Sequence, residues 1–175
     1  MEAISTDFIE EIVQRIDKRL QQINERLERI EDLLVLHFAP FPPCLGEGID
    51  FSSKPLGIYP GPLQEGRIIV EDDDHVSGLP PTPIRIEQRH GHIALHCGYL
   101  LTITIKEGCQ SAELLYFDGG GTIDTFDESG KPISSIHVPN SELPQSVPLS
   151  GGSSLIERIE IRSANEMFLL QVCCD

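Results

Sequence analysis

Residues 89–98 read RHGHIALHCG, which places three histidines and a cysteine within eight positions. Imidazole nitrogens and a thiolate are ligands that zinc takes. The first chemistry to weigh is therefore a metal site, and behind it a metal-dependent enzyme. Local folding argues against it. His90-Gly91 has the composition of a two-residue hairpin turn, because glycine takes positive φ freely and histidine tolerates it. Such a turn pairs Gln88 with Ile93, Ile86 with Leu95 and Ile84 with Cys97 on one face. It pairs Arg89 with His92, Glu87 with Ala94 and Arg85 with His96 on the other. This register puts nearly all the apolar residues on one side, and that fixes it. His92 and His96 then share the polar face four residues apart, about 13 Å at the rise of a strand, too far for one zinc. Cys97 points inward. No intrachain metal and no cofactor is expected, although copies of His92 or His96 arrayed about a symmetry axis leave a shared site open.

Other stretches offer less. VEDDDHVSG (70–78) and YFDGGGTIDTFDESG (116–130) are rich in oxygen ligands. Neither has EF-hand spacing, and Asp and Gly are also what turns require. The DGGG at 118–121 is followed by no lysine and opens no helix, so it is not a phosphate loop. No nucleophile elbow and no HExxH is present, and the protein is read as not an enzyme.

The elements that hold these residues fall into three segments. In the first, 1–38, Asp7 and Glu10 have capping-box spacing. Val13, Leu20, Leu27 and Leu34 form one heptad set, and Ile9, Ile16, Ile23 and Ile30 form the other. The alternation of three and four is unbroken, which predicts a coiled-coil oligomerisation helix. Leucine at a and isoleucine at d favour three or four strands over two, so a homotrimer is expected, with a tetramer as runner-up. Arg26 at g is placed to reach Glu31 at e of a parallel neighbour. The second segment, 39–66, carries six prolines yet keeps Phe41, Leu45, Ile49, Phe51, Leu56, Ile58 and Tyr59. It reads as a packed linker. The third, 67–175, is a series of short alternating strands: RIIVE, PIRIEQR, HIALHCG, LLTITI, AELLYF, TIDTFD, ISSIHV, IERIEIRS and MFLLQVC. No helical pattern interrupts them. The fold class is mainly β, an antiparallel sandwich or jelly roll behind a long N-terminal coiled-coil helix.

Composition bounds the partners. The net charge is -15 over 175 residues. Such a surface repels phosphate, which disfavours nucleic acid and anionic membrane. No apolar run reaches the roughly 20 residues of a membrane span. The five cysteines form no CxxC pair and read as mostly reduced thiols, which suggests the cytoplasm or a particle assembled there.

The phrases GYLLTITIKEGCQSAELLYF, TIDTFDESGKPISSIHVP and LIERIEIRSANEMFLLQV resemble the galactose-binding-like jelly-roll superfamily, a resemblance that covers about residues 98–174. The resemblance implies a β-sandwich that acts as a binding or adhesion module, often for carbohydrate. This chain lacks tryptophan, a frequent sugar-stacking platform, and has Tyr59, Tyr99 and Tyr116 as its tyrosines. The expected function is a non-enzymatic, oligomeric structural or binding component of a larger assembly, of fibre, tail or adaptor type, which contacts other proteins. Carbohydrate binding is the alternative, and a metal-dependent enzyme the second alternative.

Overall fold

Each of the nine alternating stretches after residue 66 is a strand. The structure, a computed structural model, describes residues 14–27, 41–72, 83–164 and 166–175. In chain order the strands are β1 Glu47–Asp50, β2 Gly57–Tyr59, β3 Leu63–Glu65, β4 Ile68–Asp72, β5 Ile84–Arg89, β6 His92–Cys97 and β7 Leu100–Cys109. They continue as β8 Ser111–Phe117, β9 Gly121–Phe126, β10 Pro132–Val138, β11 Gln145–Ser150, β12 Ile156–Ser163 and β13 Met167–Cys174. Three of them fall within 39–66, the stretch that reads as a packed linker. They are short because Pro55, Pro60 and Pro62 interrupt them, and a proline supplies no ladder donor. β11 carries Pro148 and sits at a sheet edge, where that missing donor does least harm.

The strands form two antiparallel sheets. One runs β11-β8-β13-β6-β5-β2, with β1 paired to β13, and the other runs β10-β9-β12-β7-β4-β3. Their facing sides share one core. Ile68, Val70, Leu101, Ile103, Ile105, Ile159 and Ile161 come from the second sheet. Ile84, Ile86, Leu95, Leu114, Leu169 and Val172 come from the first. Burying each such side chain stabilises the fold by roughly 1.5–3 kcal/mol. A bulge after Leu169 resets the alternation of β13, so that Leu169 and Val172 both face inward while Leu170 faces out.

Two compact units divide the chain, residues 1–40 and 41–175. In the first, residues 14–27 are helical. Ile16, Leu20, Ile23 and Leu27 lie along one stripe of that helix, each 51–53% exposed. The other expected seam residues, Ile9, Val13, Ile30 and Leu34, lie outside the described residues, so the described part of the expected long helix is the four turns over 14–27. No described helix is long and apolar enough to cross a membrane.

The cysteines, expected as mostly reduced thiols, depart from that at one pair. Cys44 and Cys173 are joined in a disulfide, whereas Cys97, Cys109 and Cys174 are free and buried. Pairing of Gly48 with Cys173 in the β1–β13 ladder lays the preceding loop over β13. Gly48 leaves the room for it, since a Cβ there would overlap the Cys44 sulfur.

Candidate functional site

The β5–β6 hairpin adopts the register expected from its turn residues. Arg89 pairs with His92, Gln88 with Ile93, Glu87 with Ala94, Ile86 with Leu95 and Arg85 with His96. His90 and Gly91 take φ of 47° and 86°, as a type I′ turn demands. What differs is the environment of the outward face. The sequence reading makes it polar and solvated, but His92 is only 8% exposed. A second apolar cluster of Ala94, Phe117, Phe168 and Leu170 occupies this side of the sheet, with Phe41 and Leu115 packed against it.

The ladders explain why the rings meet. Phe168 on β13 is the direct partner of His96 on β6 and of Phe117 on β8. The row His96–Phe168–Phe117 therefore runs straight across three strands, with ring centroids 5.1 Å and 5.5 Å apart. β6 stays on the β13 ladder only for Leu95 to Cys97, while β1 takes the far end of β13. The turn end of the hairpin is thus free of that ladder. It brings the His92 ring within 5.4 Å of Phe117 and the Arg89 guanidinium within 5.7 Å of the Phe168 ring. Such ring pairs add about 0.5–1.5 kcal/mol each beyond the area they bury.

A charged rim borders the cluster. Arg89 Nε donates to Asp118 Oδ2 at 2.6 Å, and Arg89 Nη2 lies 3.6 Å from Glu166 Oε2. His90 Nε2 is 3.2 Å from the same Asp118 oxygen. The hydrogen bond to Asp118 and that residue's charge raise the Arg89 pKa above its ordinary value. At this exposure the pairs orient the hairpin end more than they stabilise it.

Phe41 belongs to a strap formed by residues 41–46. Its ring lies 5.5 Å from that of His92. The Pro42 carbonyl accepts a hydrogen bond from Gln171 Nε2 at 3.3 Å, and Cys44 closes the disulfide. On the inner face Cys109 has Cys174 as a neighbour, and burial together with that neighbour pushes the Cys109 thiol up. Burial beside Asp72 does the same for Cys97.

The histidines thus serve ring packing and one polar contact, that of His90 Nε2 with the Asp118 carboxylate. Among the described residues no group of three or more His, Cys, Asp or Glu is arranged to hold a metal. On the outer face of the other sheet Asp124 stands directly opposite Glu160, a pairing of carboxylates that general acid–base chemistry can use. Both are tied to Arg162, and Glu160 is also 3.3 Å from Arg158, whose guanidinium lies over the Phe126 ring at 4.4 Å. Of the seam residues, Ile16, Leu20, Ile23 and Leu27 share one stripe of their helix. Sequence reasoning missed Phe117, Phe168 and Leu170 as an outer cluster. The signal was the run Met167-Phe168-Leu169-Leu170, since a strand apolar at successive positions is buried on both faces.

No family model matches the chain, and no curated protein matches it. Several solved structures are similar to it, two of them as follows. One is a glycoside hydrolase family 43 arabinoxylan arabinofuranohydrolase from Bacillus subtilis in complex with cellotetraose, at 11% identity and a TM-score of 0.34. That likeness covers 62% of this chain and 24% of the hydrolase, so the chain spans about a quarter of its length. The other is a family 6 carbohydrate-binding module, at 9% identity and a TM-score of 0.38, over 74% of this chain and 93% of the module. The two-sheet fold of this chain rests on its own strand ladders.

Proposed function

We propose that the protein is a non-enzymatic binding module, a β-sandwich of the galactose-binding-like type that a parallel coiled coil assembles into a trimer. One observation carries the reading. Ile16, Leu20, Ile23 and Leu27 follow one another at spacings of four, three and four, and each is 51–53% exposed along its helix. An apolar stripe of that period is what a second copy of the same helix covers. Orientation follows from charge. Arg19 and Arg26 occupy g positions. Antiparallel helices would set g against g and oppose arginines, whereas parallel helices set g against e, where Asp17 and Asn24 lie. Linked heads gain avidity for a repetitive partner from weak individual contacts.

Light scattering on the full chain at micromolar concentration tests it. A mass three times that of the chain is expected, falling to one when Leu20→Asp or Ile23→Asp places a charge in the seam. A monomeric wild type overturns the proposal. Carbohydrate binding is a second reading, and it rests on Tyr99, which is 80% exposed in the turn between β6 and β7. Tyrosine can stack on a sugar ring as tryptophan does. A glycan array with wild type and Tyr99→Ala decides it.

A further inference from the structure

We propose that the Cys44–Cys173 bond is a redox latch that holds the Phe41 strap over the outer aromatic cluster, and that its reduction releases the strap and opens that face. Three observations support this. First, the strap makes few contacts of its own among the described residues. Phe41 packs on the cluster, and the Pro42 carbonyl takes the Gln171 amide at 3.3 Å. Pro42 and Pro43 have no N–H, so the strap contributes no ladder bond at these positions. Second, what lies beneath is apolar. Ala94, Phe117, Phe168 and Leu170 are 0–2% exposed while Phe41 packs against them. Third, the bond is within reach of a reductant. Cys44 and Cys173 are partly exposed, whereas Cys97, Cys109 and Cys174 are buried. A soluble dithiol therefore meets the latch before it meets the other sulfurs.

The chemistry balances with a dithiol as co-reactant. One thiolate of the reductant attacks a sulfur of the bond and forms a mixed disulfide. The second thiolate displaces it, and the reductant closes into its own disulfide. Two electrons and two protons pass to Cys44 and Cys173, which end as thiols. In a reducing compartment the latch is open, and in an oxidising one it is closed. The inference is independent of the proposed coiled coil, because strap, cluster and disulfide all lie within residues 41–175.

Hydrogen exchange on the full chain, with and without dithiothreitol, is the test, paired with fluorescence of an anilinonaphthalene dye that brightens on apolar surface. Reduction is expected to speed exchange at the β1 amides that directly follow the strap by on the order of tenfold or more, leave β7 and β12 unchanged and raise dye fluorescence. Cys44→Ser should show the same without reductant. Phe41→Ala should raise dye fluorescence in the oxidised protein. Unchanged exchange and fluorescence in both the reduced protein and Cys44→Ser would mean that the strap holds without the bond, and would overturn the proposal. So would loss of a cooperative thermal transition on reduction, since the bond would then hold the fold and not a latch.

Discussion

The rings of His92 and Phe117 meet edge-on, 5.4 Å apart and inclined by 64°, on the side of the sheet turned away from Leu95. A histidine expected at a solvated surface is in this way part of a second core. His92→Ala should destabilise the head by about 1–3 kcal/mol, the range of a buried ring that loses its partners. Leu95→Ala should cost about 2–5 kcal/mol. Glu87→Ala, exposed on the same face, should stay within roughly 0.5 kcal/mol. Urea denaturation of the three variants checks the order. A His92→Ala value no larger than that of Glu87→Ala would contradict the packing described.

Thiol chemistry should report the sulfur assignments directly. Thiolate is the reactive form, and burial keeps the Cys97 and Cys109 thiols protonated well above neutrality. The native, unreduced protein should therefore resist iodoacetamide at pH 7. Unfolding should expose three labelled cysteines, and unfolding with reduction all five. Intact mass spectrometry reads the count, and five labels without reduction would disprove the disulfide.

Tyr116 donates its hydroxyl to the Pro139 carbonyl at 2.9 Å, and burial raises its pKa above the ordinary 10.0. The folded state thus favours the neutral phenol. Its contribution to stability is complete below pH 10 and is lost as pH rises through the folded value. Tyr116→Phe should cost about 1 kcal/mol at neutral pH and flatten the alkaline loss. Melting temperatures from pH 8 to 11 test both, and parallel alkaline curves for the two proteins would refute the linkage.

Asp127 titrates in the opposite sense. Its Oδ1 accepts from the Ser129 hydroxyl at 2.6 Å and from the Ser129 and Lys131 amides at 3.0 Å each. These bonds hold its carboxyl below the ordinary 3.8, with the Ser129 hydroxyl the largest contributor. The turn between β9 and β10 should stay closed at neutral pH and loosen only as pH falls through that lowered value. Asp127→Asn keeps an acceptor and should preserve slow exchange at the Ser129 and Lys131 amides, whereas Asp127→Ala should lose it. Equal exchange in both variants would show that the side chain does not hold the turn.

The hairpin register was legible because two local signals agreed, a His-Gly pair able to take positive φ and an alternation that only one register satisfies. The β strands after residue 66 were legible for the second reason alone, except β11, which Pro148 interrupts and which was not read as a strand. Two further things were not. The Cys44–Cys173 pair is separated by 129 positions, and no spacing rule couples residues brought together only by the β1–β13 ladder. Strands of three or four residues set between prolines leave no periodicity to read, so β1 to β3 were hidden inside a stretch that composition marks as linker. Solvation of the outward face was misjudged because the hairpin was read by itself. Alternation within β5 and β6 says which side faces the core, but the residues that cover the other side come from β8, β13 and the strap.

The crosslink near the two ends of the head also settles where mechanical load would travel. Tension applied between the helical segment and Asp175 enters at Phe41, crosses from Cys44 to Cys173 and leaves within two residues. The 128 residues between the joined cysteines are bypassed, and neither sheet is stretched. Without the crosslink the same pull would arrive at Glu47 and Cys174, which face each other at one end of the β1–β13 ladder. Force applied there peels hydrogen bonds one after another, the weakest way to load a pair of strands. A single covalent bond thus converts a zipper into a fixed anchor point.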